Sequence, residues 1–473
     1  MSEPNHSLFL LLALQKRGQA PAVVVTSPSL VASQAPSMGP NNKKKKNKQR
    51  TKKPPPDFSV EEWTEAASVA LANQEVDTAL ALYTAALDAQ EKVLQANDNS
   101  NGIKRNELVD QRVSLLDKRA EVKTTLGDPD GAREDYQTAL QLHQTTETLE
   151  SNTEWYERTA SLYLYIGQTS TGRDAVAAYE KALAILETCL GQCQKVNSTA
   201  AIEITQQLAS VCCNAAEVYL TDLCEEADAE QQCEQWVQKA LTFQIPVSDK
   251  ATDETRPTVD ALQLLANLRI SQCRASEALP AILEAFQQIE GPCRSLAHLV
   301  DVTPTVEEGV TQEDQAMELS QVDAVQALPG FEFRCQMVKI MLEAAAVSEN
   351  ADDKDRVACR QAAIYVLGSL MAENDEVVEI WVLLGDAFQS ISCHDEAVSY
   401  WQNALDMLGQ LKQSIEEDMQ MSTSMLEDDP EADQREDEMQ QQMDEVMCQM
   451  DDLDRKIAEL KAPKCNDSVF MQE

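Results

Sequence analysis

The sequence predicts an all-α solenoid of about seven stacked helix pairs, with a disordered basic arm before it and an acidic helical tail after it. Three observations carry that prediction. One apolar pattern recurs along the chain with the same offsets between its large and its small residues. Gly and Pro are sparse, 14 and 17 in 473 residues, and fall mainly between the segments that carry the pattern. Charge is segregated: residues 1–56 hold ten basic residues against Glu3 alone, whereas the whole chain sums to −41.

The pattern is clearest near the C-terminal end, in Trp381, Leu384, Gly385 and Phe388, then Ala397, Trp401, Ala404 and Leu405. Large residues at helical spacing make an apolar stripe, and the small ones sit where two helices must approach closely. This spacing resembles the tetratricopeptide repeat, a pair of antiparallel helices about 34 residues long. One pair cannot bury its own apolar face, so further copies are expected beside it.

Taken in chain order, the arm spans residues 1–56. Residues 8–14 are apolar but too short and wrongly flanked for a secretory signal. Residues 21–40 are rich in Pro, Ser and Ala without periodicity and read as disordered. Lys43, Lys44, Lys45, Lys46, Lys48, Arg50, Lys52 and Lys53 then crowd into segment 43–53, followed by Pro54–Pro56. Such a strand fits the acidic grooves of importin as a nuclear-import signal. A nucleic-acid patch and a solubilising tail are the competing readings. The prolines stop any helix from entering from the arm, and Asp57 or Ser59 can cap the first repeat helix.

The solenoid is expected over 57–411. Trp63, Ala67, Ala79, Tyr83 and Ala86 match the template, and Leu116, Ala120, Ala132, Tyr136 and Ala139 match it again. The third copy has Leu162, Ala175, Tyr179 and Ala182, with Tyr163 where a small residue belongs. The fourth, from Ala215 and Tyr219 to Ala240, needs a one-residue insertion, while Leu262, Ala266, Ala278 and Ile282 make a clean fifth. A degenerate sixth lies around 331–370, after an acidic insertion at 291–328. Trp381 and Ala404 are expected in the close contact of the last pair. The tail, 412–473, is rich in Asp, Glu, Met and Gln. Met439, Met443, Val446, Met450, Leu453, Ile457 and Leu460 form an a/d stripe on an amphipathic helix over 436–461. That helix either caps the solenoid or offers an acidic, Met-lined surface to a partner.

Net charge narrows the function. Beyond residue 56 the balance is −50, which disfavours nucleic acid and anionic membranes and favours basic polypeptides. In tetratricopeptide arrays, positions 2, 5, 9 and 12 of each first helix line the inner face. Here they include Glu61, Asp117, Glu121, Glu157, Glu217, Asp260, Glu379 and Asp386, and no Lys or Arg. These are the candidate binding residues. The bias argues against the carboxylate clamp of tetratricopeptide co-chaperones, since an anionic terminus needs cationic and amide donors, and only Asn267 has that character. Catalytic motifs are missing, the four His share no ligand spacing, and the 13 Cys read as buried reduced thiols. The expectation is therefore no enzyme, no cofactor and no metal. A cytoplasmic and nuclear location is expected.

Two further blocks go beyond the generic repeat. Residues 219–235 begin Y-L-T-D-L-C-E-E, and 329–343 read P-G-F-E-F-R-C-Q-M-V-K-I-M-L-E. With the basic arm before and the acidic tail after, they resemble the dedicated assembly chaperone of the large-subunit ribosomal protein L-four. The resemblance implies a helical-repeat protein that captures this newly made basic protein, shields its RNA-binding loop and escorts it to the nucleus. A generic tetratricopeptide scaffold in a multiprotein complex is the alternative.

Overall fold

The computed structural model describes residues 58–96, 102–145, 153–193, 199–247, 254–304, 321–347, 353–425 and 432–461. The import-like segment 43–53, the rest of the arm and the middle of the predicted insertion lie outside them. Internal contacts divide the chain into two compact units, Met1–Ala261 and Leu262–Glu473.

The first unit is a series of antiparallel helix pairs. They are α1 (Val60–Ala72) with α2 (Val76–Ala96), α3 (Gly102–Thr125) with α4 (Pro129–Thr145), α5 (Thr153–Gln168) with α6 (Gly172–Gln192), and α7 (Thr199–Leu220) with α8 (Ala229–Thr242). Helices α2, α4 and α6 each also pack on the first helix of the following pair. Ser59 caps α1: its hydroxyl accepts from the Glu62 amide, and its own amide donates to Glu62. The template residues Tyr83, Ala86, Ala120, Tyr136, Ala139, Tyr179 and Ala182 are buried. A short antiparallel hairpin, β1 (Gln244–Pro246) and β2 (Thr255–Pro257), follows α8 and is the one departure from the all-α expectation among the described residues.

At the third pair the structure relocates the close contact. Tyr163 occupies the small-residue position but is only half buried, its ring 5.5 Å from the Lys181 ammonium. One helical turn later Gly167 makes the approach instead: a Cβ there would lie 2.5 Å from the Tyr179 ring. The fourth pair also departs from the template. The insertion becomes a turn over 221–228 that clamps the start of α6. Asp222 accepts from the Gly172 amide at 2.9 Å, Arg173 pairs with Glu226, and Arg173 donates to the Tyr219 hydroxyl at 3.1 Å. The T-D-L-C block therefore locks two repeats together.

Helix α9 (Val259–Ser271) crosses the division between the units. The second unit continues with α10 (Ala275–Leu299), α11 (Gln321–Gln326), α12 (Phe331–Val347), α13 (Asp353–Glu373), α14 (Val378–Ser390), α15 (His394–Met425) and α16 (Ala432–Lys461). The insertion expected from residue 291 does not begin there. Helix α10 runs through it to Leu299 and buries Cys293, Leu296 and Ala297, with a Cβ on Gly368 of α13 placed 2.5 Å from Ala297. The second distinctive block is structural too. Arg334 is fully buried and donates to the Pro329 carbonyl and the Ser369 hydroxyl, both at 2.9 Å, and pairs with Glu373.

In the last pair the buried tryptophan is Trp401, with no exposed area, and not Trp381, which stays half buried with its indole N–H on the Asp375 carbonyl. Gly385 is what admits Trp401, since a Cβ there would lie 2.2 Å from the indole. Helix α16 folds back onto α15, with Val446, Leu453 and Ile457 buried and the Met positions of the stripe half buried. Of the two readings of the stripe, this packing is that of a cap.

Candidate functional site

The eight acidic positions divide by whether a cation answers them. In the first unit, α3 carries Asp117 and Glu121 one turn apart, both half buried. Burial raises the Asp117 carboxyl above its ordinary range, against the pull of Arg158 on α5 and of Lys118. Glu121 is raised by burial and then by the charge of Asp117. The two carboxylates lie beside Tyr136 of α4 and Tyr165 of α5, whose rings stack with centroids 5.0 Å apart and planes 23° from parallel. Burial first, and these carboxylates second, push the Tyr165 phenol up to about 12. Asp117 Oδ1 and Arg158 Nη2 are both buried without a hydrogen-bond partner. Three further cations of α3 are committed elsewhere: Arg119 and Lys123 close on the buried Asp135 of α4 at 2.6 and 2.9 Å, and Arg112 pairs with Glu91 of α2 at 2.6 Å.

Glu157 on α5 is also raised, by burial, then by Glu203 of α7, then by Glu154. Three carboxylates thus face one another across α5 and α7. Glu217 is exposed on α7, and Asp260, half buried at the start of α9, is raised by burial. These two converge on Cys213, whose thiol is pushed well up by burial and then by Asp260. Glu61 stands apart, exposed in the first turn of α1.

The second unit answers its acids internally. Glu379 pairs with Lys339 of α12 at 2.6 Å. Asp386 receives the Lys456 ammonium of α16 at 2.9 and 3.2 Å on its two oxygens, and the Trp401 indole N–H at 3.2 Å. Lys339 and Lys456 stand outside the positions read from the sequence, as do Glu154, Glu203 and Arg158. The six alignable repeats contain none of these cations at lining positions, so the count alone could not find them.

The described cysteines are free thiols. Burial raises Cys189 and Cys293 to about 11 and Cys212, Cys335 and Cys359 to about 12, the direction that makes a thiol unreactive. Among the described residues no group of His, Cys, Asp and Glu is arranged to hold a metal, and no helix is long and apolar enough to cross a membrane.

Comparison with known proteins adds three similarities. No protein-family profile matches the chain. It is 26% identical over 266 residues to "Probable assembly chaperone of rpl4" of Schizosaccharomyces pombe, covering 56% of this chain and 60% of that one. It is 26% identical over 336 residues to the protein of the same name in Emericella nidulans, covering 70% and 65% respectively. The chain therefore spans less than two thirds of the length of either relative. Among solved structures it is similar to "Assembly Chaperone of RpL4 (Acl4) (Residues 1-338)", at 21% identity and a TM-score of 0.42, covering 72% of this chain and all of that one.

Proposed function

We propose that this tetratricopeptide-type chain is a dedicated assembly chaperone that captures newly made large-subunit ribosomal protein L-four and carries it to the nucleus. The observation that carries the proposal is the similarity to two fungal proteins bearing that name. Physical support comes from the first unit, where Asp117 and Glu121 lie beside a tyrosine stack and Glu157 and Glu217 add further acidic charge. A basic client segment replaces water and counterions there, and its Lys and Arg side chains meet carboxylates instead of RNA phosphates. Ribosomal RNA, with its denser charge, then takes the client without nucleotide hydrolysis. In this reading no nucleic acid and no membrane bind the chain directly, and importin is a second partner through 43–53.

The test is capture of purified L-four by the full chain across a salt series. Exposed charge pairs are screened within about 8–10 Å near physiological ionic strength, so affinity is expected to fall steadily as salt rises. Changing Asp117, Glu121, Glu157 and Glu217 together to Lys is expected to abolish capture with helix content retained. Undiminished binding by that variant removes the acidic-face model. Absence of L-four binding by the parent chain leaves the scaffold reading.

Nuclear escort is tested separately. Deleting residues 41–56 is expected to leave thermal unfolding unchanged and to remove nuclear accumulation, while a reporter fused to 41–56 gains it. Equal nuclear entry by the deletion variant makes the segment a solubilising tail.

A further inference from the structure

Asp386 occupies the same register position on α14 that Glu121 has on α3 and Glu217 on α7, counted from the small residue before each: Gly385, Ala120 and Ala216. In a stacked array this position looks towards the next first helix. Beyond the last pair no further repeat follows among the described residues, and α16 takes that place on α15. What α16 presents to Asp386 is an ammonium group.

We infer that Asp386 and Trp401 form a lysine site, which Lys456 fills as a built-in competitor until a lysine of the basic partner displaces it. The inference rests on the reading that the acidic faces take a basic polypeptide. The site is selective in its chemistry. Both Asp386 oxygens contact the ammonium, Asp452 stands 3.7 Å from it, and the Trp401 ring centroid is 5.6 Å away. The indole N–H already takes one Asp386 oxygen at 3.2 Å, which obstructs the two-pronged approach of a guanidinium and leaves room for a point charge.

Exchange costs little. The side chains of Lys456 and Asp386 are 27% and 31% exposed, so water screens the pair, and such a pair holds its place by about two- to five-fold over open solvent. The helix has other anchors, because Val446, Leu453 and Ile457 are buried on its apolar side. Asp451, Asp452, Asp454 and Glu459 surround Lys456 in sequence, so an incoming basic segment meets carboxylates on the plug itself. Lys456 can then leave Asp386 while α16 stays on α15.

The test measures binding of fluorescein-labelled deca-lysine to the full chain and to Lys456→Gln, Asp386→Asn, the double variant and Lys461→Gln. The last removes the same charge from the same helix and serves as the control. The side-chain carbonyl introduced by Asp386→Asn can still accept from the indole, and the Val382 carbonyl is a second acceptor at 3.3 Å, so the fold is retained. Lys456→Gln is expected to tighten binding about two- to five-fold, beyond any gain from Lys461→Gln. That extra gain is expected to vanish when Asp386→Asn is also present. Equal gains from the two lysine variants, persistence of the gain without Asp386, or no binding of the decamer to any of the chains overturns the inference. Capture of L-four reports on the first unit independently. Capture without a Lys456 effect removes the lysine site alone, and a Lys456 effect without capture removes the proposed function alone.

Discussion

Gln74, Gly127, Cys273 and Ser392 share a left-handed backbone, with φ of 60°, 78°, 57° and 65°. Each closes the first helix of its pair. At all four the residue's own amide bonds three residues back, and the next amide bonds five residues back, as in Ser392 to Gln389 and Cys393 to Phe388. This is the Schellman closure, in which Gly is the residue without a steric penalty. Only Gly127 announces it in the sequence; a Gln, a Cys and a Ser at the other three give no such signal, and the turns were legible only as gaps between helices. Left-handed backbone costs a non-Gly residue about 1–2 kcal/mol, partly offset by the greater chain entropy a Gly surrenders on folding. Cys273→Gly and Ser392→Gly are each expected to stabilise the protein by about 0.5–1 kcal/mol, and Gly127→Ala to destabilise it. Denaturant midpoints at constant m-value decide the matter, and a loss of stability in both Gly variants refutes the account.

Helix pairs were readable from the sequence because the small-to-large contact within a pair has fixed spacing. Gly385 against Trp401 follows that spacing. The third pair does not, and there the template marks Tyr163 where the packing uses Gly167. Periodicity identifies the face of a helix but not which turn of that face makes the contact, since residues four apart share it. Gly167→Ala and Gly409→Ala separate close approach from helix propensity. A Cβ at 167 meets the buried Tyr179 ring at 2.5 Å, whereas one at 409 meets nothing within 4 Å. The first change is expected to destabilise by about 1–3 kcal/mol through overpacking. The second, in the interior of α15, is expected to stabilise by about 0.5–1 kcal/mol. Thermal unfolding of the two variants reads this directly, and equal signs contradict it. The acidic positions show the same limit of legibility. Their identities follow from register, but Lys339 and Lys456 arrive from elements that register does not place beside them.

At the scale of the whole chain, the stacked architecture implies that stability is a sum of pairs and their nearest neighbours. The repeat count and the a/d stripe of the tail were legible because both are long, strongly periodic signals. The extension of α10 to Leu299 was not: the segment from 291 reads as part of the acidic insertion, while Pro292 lies inside the helix and Cys293, Leu296 and Ala297 in fact pack. Trp401 offers the sharpest test of the additive picture. It is fully buried, its indole is bonded to Val382 and Asp386, and α16 lies on the helix that bears it. Trp401→Ala removes a large side chain from a tight contact and is expected to cost about 3–5 kcal/mol. In a one-dimensional stack that loss stays near its source. Amide hydrogen exchange is expected to rise across α14, α15 and α16 and to fade through α13, with α1–α4 as protected as in the parent chain. If protection falls uniformly from α1 to α16, the chain unfolds as one cooperative core, and additivity over repeats does not describe it.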